Sequence, residues 1–224
     1  MLTPEGALFW PAQSLLAVAD LHFEKGSAAA ERGSLVPPWD TRATLDVLSL
    51  LLRRYRPRVV VALGDSFHDR RGAARLLAGD AARLAAMARA ARFVWVLGNH
   101  DPDPQTAMVG EVMAELSLEG LVFRHEARGN DRGEISGHFH PKASVPVRGA
   151  TVSRPCFVAD GRRIVLPAMG AYTGGLDVRD PAIAGLFPRG GQMFLLGRDR
   201  LFHFPLAARR GPKVAAEAEG GLFS

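Results

Sequence analysis

The sequence predicts an α/β fold on three observations. The first two-thirds of the chain alternates short apolar runs with segments of helical period, in the order β-α-β-α-β. Such alternation implies parallel strands covered by helices on both faces. After about residue 119 the style changes to short apolar segments joined by glycine turns, which read as mostly β. Hydrophobic residues make up 47% of the 224, enough for a sizeable core and too many for a disordered chain.

Each element follows from its residues. "LLAVAD" (15–20) is a buried-strand pattern that ends in a carboxylate. Residues 40–55 read as a helix, with Asp40 as its cap and Leu45, Leu48, Leu51 and Leu52 on one face. "RVVVALGD" (58–65) is a second buried strand, and the alanine-rich stretch 72–90 reads as one helix. "RFVWVLGNHD" (92–101) is the third strand. Beyond it, "LVFRHE", "GEISGHFH", "SRPCFVAD", "RRIVLPA", "GQMFLLG" and "RLFHFP" read as short strands. One domain over 1–206 is expected, followed by a loose, small and charged tail over 207–224.

Composition narrows the function classes. No apolar run approaches the roughly 20 residues of a membrane span, so no membrane association is expected. "MLTPEGALFW" lacks the basic-then-apolar layout of a signal peptide. The single cysteine, Cys156, excludes an internal disulfide and sits in an apolar stretch, where it reads as inert core. These features fit a reducing, cytoplasmic location. The net charge of +5 is compatible with a polyanionic substrate.

The chemistry gathers around histidine. Six of the seven histidines fall at or just beyond the end of a predicted strand, among Asp, Asn and Gly. The segments are "ADLH" (Asp20, His22), "GDSFH" (Asp65, His68), "GNHD" (Asn99, His100, Asp101), "RHE" (His125) and "GHFH" (His138, His140). Ligand sites in open α/β sheets lie at these carboxyl ends. Neutral imidazole, carboxylate and amide oxygen suit Mn²⁺, Zn²⁺ or Fe²⁺, and the lack of thiolates disfavours a structural zinc knot. Two ions sharing a carboxylate would sit about 3.5–4 Å apart, the usual arrangement for phosphoester hydrolysis. Asp65 ends the central one of the first three strands and is the natural bridge. A lone strand-end histidine is more often a hydrogen-bonded surface or core residue. Six gathered by chance is a much weaker explanation than one metal centre. His203, in "RLFHFP", lies outside the pattern and reads as a partly buried sheet residue.

Taken in order, D-x-H, G-D, G-N-H-D, H and G-H-x-H resemble the calcineurin-like metallophosphoesterase superfamily over residues 20 to 140. "ADLHFEKG", "LGDSFHD", "LGNHD", "SGHFHP" and "AYTGGLDV" are similar to the bacterial ligase-associated DNA damage response endonuclease group, to about residue 205. The resemblance implies two packed β-sheets flanked by helices, a four-layer sandwich. It implies two divalent ions, with Asp20, His22 and His140 on one, Asn99, His125 and His138 on the other, and Asp65 between. Mn²⁺ is the expected ion, ahead of Zn²⁺ and Fe²⁺. A metal-bridging hydroxide would attack phosphorus, and His100 would reach the phosphate and protonate the leaving group. In an extended segment residues i and i+2 point the same way, so His138 and His140 can face one centre and each bind a different ion.

His68 departs from the phosphatase pattern. Many phosphatases of the superfamily carry G-D-x-x-D, whose second Asp orients the catalytic His. Here His68 takes that place and Asp69 follows it. The arrangement looks like the nuclease of the double-strand-break repair complex, and a second imidazole adds a proton donor or a cation suited to a diester. The plainer alternatives are that His68 only supports the ligands or that Asp69 swings in as the orienter. Arg70 and Arg71 follow, and Arg148, Arg154, Arg162 and Arg163 fall in the β-rich part, where they either track a nucleic-acid backbone or form a solvated face. Tyr172 reads as a core or turn residue rather than a base-stacking platform.

The favoured reading is a DNA endonuclease in repair, with DNA as partner. The resemblance also implies functional association with an ATP-dependent DNA ligase, a helicase and an exonuclease. The alternative is a small-nucleotide phosphodiesterase or phosphatase. A non-catalytic scaffold ranks last, because none of the expected ligands is missing.

Overall fold

In the computed structural model, which describes residues 1–34, 36–128 and 133–208, the early apolar runs form one five-stranded sheet. β1 (Leu8–Trp10), β2 (Leu15–Val18), β3 (Val59–Leu63), β4 (Arg92–Val96) and β5 (Glu111–Met113) lie side by side in chain order. β2 to β5 are parallel and β1 is antiparallel to β2. Two short elements at either end of the sheet, β1 and β5, lie outside the segments read as strands above.

The second sheet has β6 (Glu115–Leu118), β7 (Leu121–Arg124), β8 (Glu134–Ser136), β9 (Lys142–Val147), β10 (Ala150–Ala159), β11 (Arg163–Val165), β12 (Gly191–Leu196) and β13 (Leu201–Leu206). Its order is β13-β12-β10-β11-β8-β7-β6, and β9 pairs with β10. β7, β8 and β11 are parallel to one another, and the other pairings are antiparallel.

Period-2 alternation sets the layers. Leu15, Ala17, Val61, Leu63, Val94 and Val96 face the second sheet and pack with Phe123, Ile135, Phe157 and Leu166. Their neighbours Leu16, Val18, Val60, Ala62, Phe93 and Trp95 face the helices. There they meet Leu45, Leu48 and Leu51 of a long helix (Asp40–Tyr55) and Leu84 and Met87 of another (Ala78–Ala90). On the far side of the second sheet, Cys156, Val158, Val165 and Leu195 pack beneath Ile183 and Phe187. The result is the four-layer sandwich of two sheets flanked by helices.

Five α-helices occur among the described residues: α1 (Lys25–Glu31), α2 (Asp40–Tyr55), α3 (Gly72–Arg75), α4 (Ala78–Ala90) and α5 (Pro181–Ala184). Two helix expectations need correcting. Asp40 does not cap α2; its carboxylate accepts the backbone N–H of Gly26 at 3.0 Å and ties α1 to α2. The single helix over 72–90 divides, because Leu76 and Leu77 are extended, with ψ of 130° and 141°. An alanine-rich stretch permits either outcome, and tertiary contacts select the break. Arg75 turns inward to the Asp69 carboxylate at 2.7 Å and the Ser27 hydroxyl at 3.0 Å, while α4 buries Leu84 and Met87 against the sheet.

Cys156 is fully buried, and burial pushes its thiol up to about 12, which fits inert core. His203 is in the sheet as expected but is exposed, stacked on Phe194. The expected loose tail falls almost wholly on residues 209–224, outside the described residues.

Candidate metal centre

The strand ends of both sheets meet at one edge, and backbone bonds lace their loops together. After β2, the His22 N–H donates to the Asp65 carbonyl at 2.9 Å and the Phe23 N–H to the Ser66 carbonyl at 2.8 Å. After β11, the Met169 and Gly170 N–H groups donate to the carbonyls of Ala19 and Asp20 at 2.9 and 3.0 Å. The Gly137 N–H donates to the His125 carbonyl at 2.9 Å, joining the ends of β7 and β8.

The local backbone here is unusual. Asp20, His22, Asp65, His138 and His140 all have positive φ, between 43° and 71°. Non-glycine residues rarely occupy this region, and they cluster where function over-determines the structure. His138 and His140 therefore do not lie on an extended segment. β8 ends at Ser136, and two left-handed residues re-aim the imidazoles in different directions. The sequence spacing predicted a shared centre through the wrong conformation.

Seven polar side chains converge. Asp20, His22 and His140 present ligand atoms within 4.8 Å of one another, as do Asp65, His125 and His138. His22 Nε2 lies 3.3 Å from His140 Nε2, and His140 Nε2 lies 3.3 Å from Asp20 Oδ1. On the other side, His125 Nε2 is 2.9 Å from Asn99 Oδ1 and 3.0 Å from His138 Nδ1. Asp65 stands between the groups. Its Oδ2 is 3.8 Å from His22 Nε2, and its Oδ1 is 3.5 Å from His125 Nε2.

The donor set fits cations. His125 Nδ1 donates to the Leu63 carbonyl at 3.0 Å, so in the neutral ring Nε2 carries the lone pair, on the side of the oxygens of Asn99 and Asp65. Acceptors facing acceptors at these distances repel unless a cation sits among them. Asp20 and Asp65 are buried, and histidines supply their ion-pair partners. Two of the clustered imidazoles resist taking up a proton. Burial, then His140, His100, Lys25 and His68, pull His22 down to about 2, and burial followed by His125 lowers His138. Two buried carboxylates gathered in one place call for positive charge, which divalent ions provide.

Glycine permits the close packing. A Cβ on Gly98 would lie 2.2 Å from Asp65 Oδ1, so no side chain fits there without displacing the central carboxylate.

His100 and His68 stand beside this cluster, their rings stacked at 5.3 Å. The His100 N–H donates to Asp65 Oδ1 at 2.9 Å, and its Nδ1 donates to the His68 carbonyl at 2.7 Å. Nε2 is then the ring nitrogen that faces Asp65, at 3.9 Å. A backbone carbonyl thus does the orienting that an aspartate does in the phosphatase pattern. Asp69 is committed elsewhere, to Arg75 and to the Arg71 N–H at 2.8 Å, which removes it as an orienter of His100.

His68 Nε2 lies 3.3 Å from Arg32 Nη2. A guanidinium only donates, so His68 accepts there. Burial, Lys25, His100 and Arg32 lower its pKa to about 4. The expected extra cation at this place is Arg32 rather than a protonated His68. Arg32 and Lys25 escaped the sequence reading because the segment 21–39 has no strand or helix period to place them. Asp101 also has a part that the sequence did not assign. Its buried carboxylate accepts the N–H groups of Phe67 and Gly98 at 3.0 and 3.1 Å, pinning the two loops that carry Asp65 and Asn99. Burial raises its pKa to about 6.

The arginines divide. Arg70 pairs with Asp103 at 2.7 Å and Arg71 with Glu31 at 3.8 Å, on the rim of an open groove lined by His68, Asp69, Asn99 and His100. Arg162 and Arg163 do not join Arg148 and Arg154. Arg162 precedes β11 and Arg163 begins it, at the opposite end of the sheet, and Arg163 is buried 3.7 Å from Glu134. Tyr172 sits in a turn and donates its hydroxyl to the Pro37 carbonyl at 2.8 Å.

Comparison with known proteins agrees with this geometry. The family model for calcineurin-like phosphoesterases matches residues 14–155. A nuclease from Pseudomonas putida, named MPE, has a similar structure, with a TM-score of 0.67 and 27% identity over 91% of this chain and 93% of that one. The E. coli phosphoesterase Yfce is a more distant likeness, with a TM-score of 0.42 and 18% identity over 87% of this chain and 99% of that one. No curated protein sequence matches the chain. No described helix is long and apolar enough to cross a membrane. The match spans the strand ends that carry the clustered histidines and carboxylates, and the chain belongs to the calcineurin-like phosphoesterase family, as a metal-dependent phosphoesterase.

Proposed function

We propose that the chain is a dinuclear-metal-dependent phosphodiesterase that cuts DNA as an endonuclease in repair. In this reading Asp20, His22 and His140 hold one ion and Asn99, His125 and His138 hold the other. Mn²⁺ is the ion we assign, from the mixed Asp, Asn and His donors without sulfur. The observation that carries the reading is the position of Asp65, with one oxygen toward each group of histidines. The ions, when bound, supply Lewis acidity and an activated water.

The protein's own side chains do the rest. His100, oriented by the His68 carbonyl, directs Nε2 to the space over Asp65, where it can contact the phosphate and serve the leaving oxygen. Arg32, beside His68, supplies fixed positive charge for a non-bridging oxygen. The likeness to a nuclease over nearly the whole of both chains supports a nucleic-acid substrate over a phosphomonoester. The His68 substitution in the G-D-x-x-D pattern supports the same choice. An association with an ATP-dependent DNA ligase, a helicase and an exonuclease belongs to this proposal.

One preparation with Mn²⁺, assayed on circular single-stranded DNA, a nucleotide diester and a phosphomonoester, tests it. Cleavage of the circle is expected. Hydrolysis of the monoester alone would overturn the nuclease reading, and hydrolysis of the small diester alone would replace it with a nucleotide phosphodiesterase.

A further inference from the structure

The segment after the last candidate ligand does something the catalytic site does not need. β9 and the first half of β10 form a two-stranded ribbon, paired from Lys142↔Pro155 to Val147↔Ala150. The register shows where it points. β10 is level with β11 at Val158↔Val165, and β11 is level with β8 at Val165↔Ser136. His138 and His140 follow β8 directly, and the Cys156 N–H donates to the Pro141 carbonyl at 2.9 Å. Position 156 of β10 therefore lies at the level of the metal centre. Residues 150–155 continue past that edge and pair with β9. At about 3.4 Å per residue, the ribbon extends roughly 17 Å beyond it.

The ribbon has the chemistry of a polyanion contact. From Ile135 to Ala159 there is no Asp or Glu, whereas Lys142, Arg148 and Arg154 are present. Arg148 forms the tip, with φ of 46°, and Arg148 and Arg154 are exposed. The pairs Ser144↔Ser153 and Pro146↔Thr151 put three hydroxyls on one exposed face. Guanidinium and hydroxyl groups are the usual partners of phosphate and sugar oxygens. Pro146 lies on the outer strand, where it withholds a backbone donor and blunts the addition of another strand. That disfavours a second copy as the occupant.

We propose that the ribbon Ser144–Arg154 is an arm that grips the nucleic-acid strand flanking the scissile phosphate, with Arg148 and Arg154 on backbone phosphates. The proposal rests on the DNA reading of the same site. It differs from it in requiring contacts made away from the metals.

The test compares the wild type with R148A/R154A and R148K/R154K. Binding of a fluorescent single-stranded oligonucleotide is measured by anisotropy in EDTA across a salt series. Hydrolysis of bis-p-nitrophenyl phosphate with Mn²⁺ is measured alongside. Each phosphate contact contributes about 0.7 to the slope of log affinity against log salt for single strands. Losing two contacts should flatten the slope by about 1.4 and weaken binding roughly 25-fold at 0.1 M salt. The small diester should be hydrolysed within twofold of the wild-type rate, and the lysine variant should keep the wild-type slope. Equal affinity and slope in the wild type and the alanine variant, with DNA still cleaved, would overturn the arm and leave the nuclease reading standing. A wild type that neither binds nor cuts DNA would overturn both. A dimer in the wild type that is lost in the alanine variant would assign the ribbon to self-association instead.

Discussion

At the scale of single residues, the roles of the strand-end side chains lead to unequal costs. Asp65 faces both groups of histidines, whereas Asp20 lies 3.3 Å from His140 and accepts the His138 N–H at 2.9 Å. Asp65→Asn should abolish activity more thoroughly than Asp20→Asn and lower bound metal further. Equal residual activity and equal metal in the two variants would argue against a bridging role. His68→Asp restores the phosphatase-like pattern without touching a proposed ligand, and sets a carboxylate beside Arg32. In the proposed function His100 serves the leaving oxygen, a role worth about 10²–10⁴-fold, and removing the His68 ring stacked on it at 5.3 Å should forfeit part of that. That loss should fall on DNA and be much smaller for bis-p-nitrophenyl phosphate, whose leaving group departs unaided. Comparing kcat/KM for the two substrates, with metal content checked, decides it; wild-type DNA cleavage by a fully metallated His68→Asp would make His68 a bystander. The strand-end histidines, carboxylates and amide that converge were legible in the sequence because each follows an apolar strand, and the choice of seven among them as ligands rests on the family resemblance. Their left-handed backbone was not, since nothing in "SGHFHP" signals positive φ at two histidines. Arg32 and Asp101 were missed because their roles arise from contacts made 36 and 34 positions away in the chain.

At the scale of elements, strands with both faces buried were readable as continuous apolar runs, and α2 as a stripe of leucines. Elements with few apolar residues were not. α1 is a seven-residue helix held by Asp40 and Glu24 rather than by its own period. β5 and β6 are short and half exposed. The division of 72–90 also needed contacts from outside the segment. The leucine stripe of α2 carries a measurable share of stability. Leu48 is fully buried in the layer between α2, α4 and the first sheet. Leu48→Ala should cost about 2–5 kcal/mol in urea unfolding, the range for opening a cavity at a packed leucine. The exposed Leu77 lies outside that layer, and Leu77→Ala should change the midpoint little. Equal shifts for the two variants would contradict the layer assignment.

At the scale of the whole molecule, both sheets direct the ends of their parallel strands to one edge, so that residues from 20 to 140 meet in one place. Neither sheet holds a complete set. The first contributes Asp20, His22, Asp65, Asn99 and His100, and the second contributes His125, His138 and His140. The candidate metal centre thus depends on the packing of one sheet on the other. The most direct measurement is cleavage of circular single-stranded DNA by metal-stripped protein as Mn²⁺ is added back, with bound metal counted per chain at each step. Activity should be absent in the stripped protein and reach its full value only as the second ion binds. Full cleavage with one ion per chain, or no cleavage with two bound, would contradict the account.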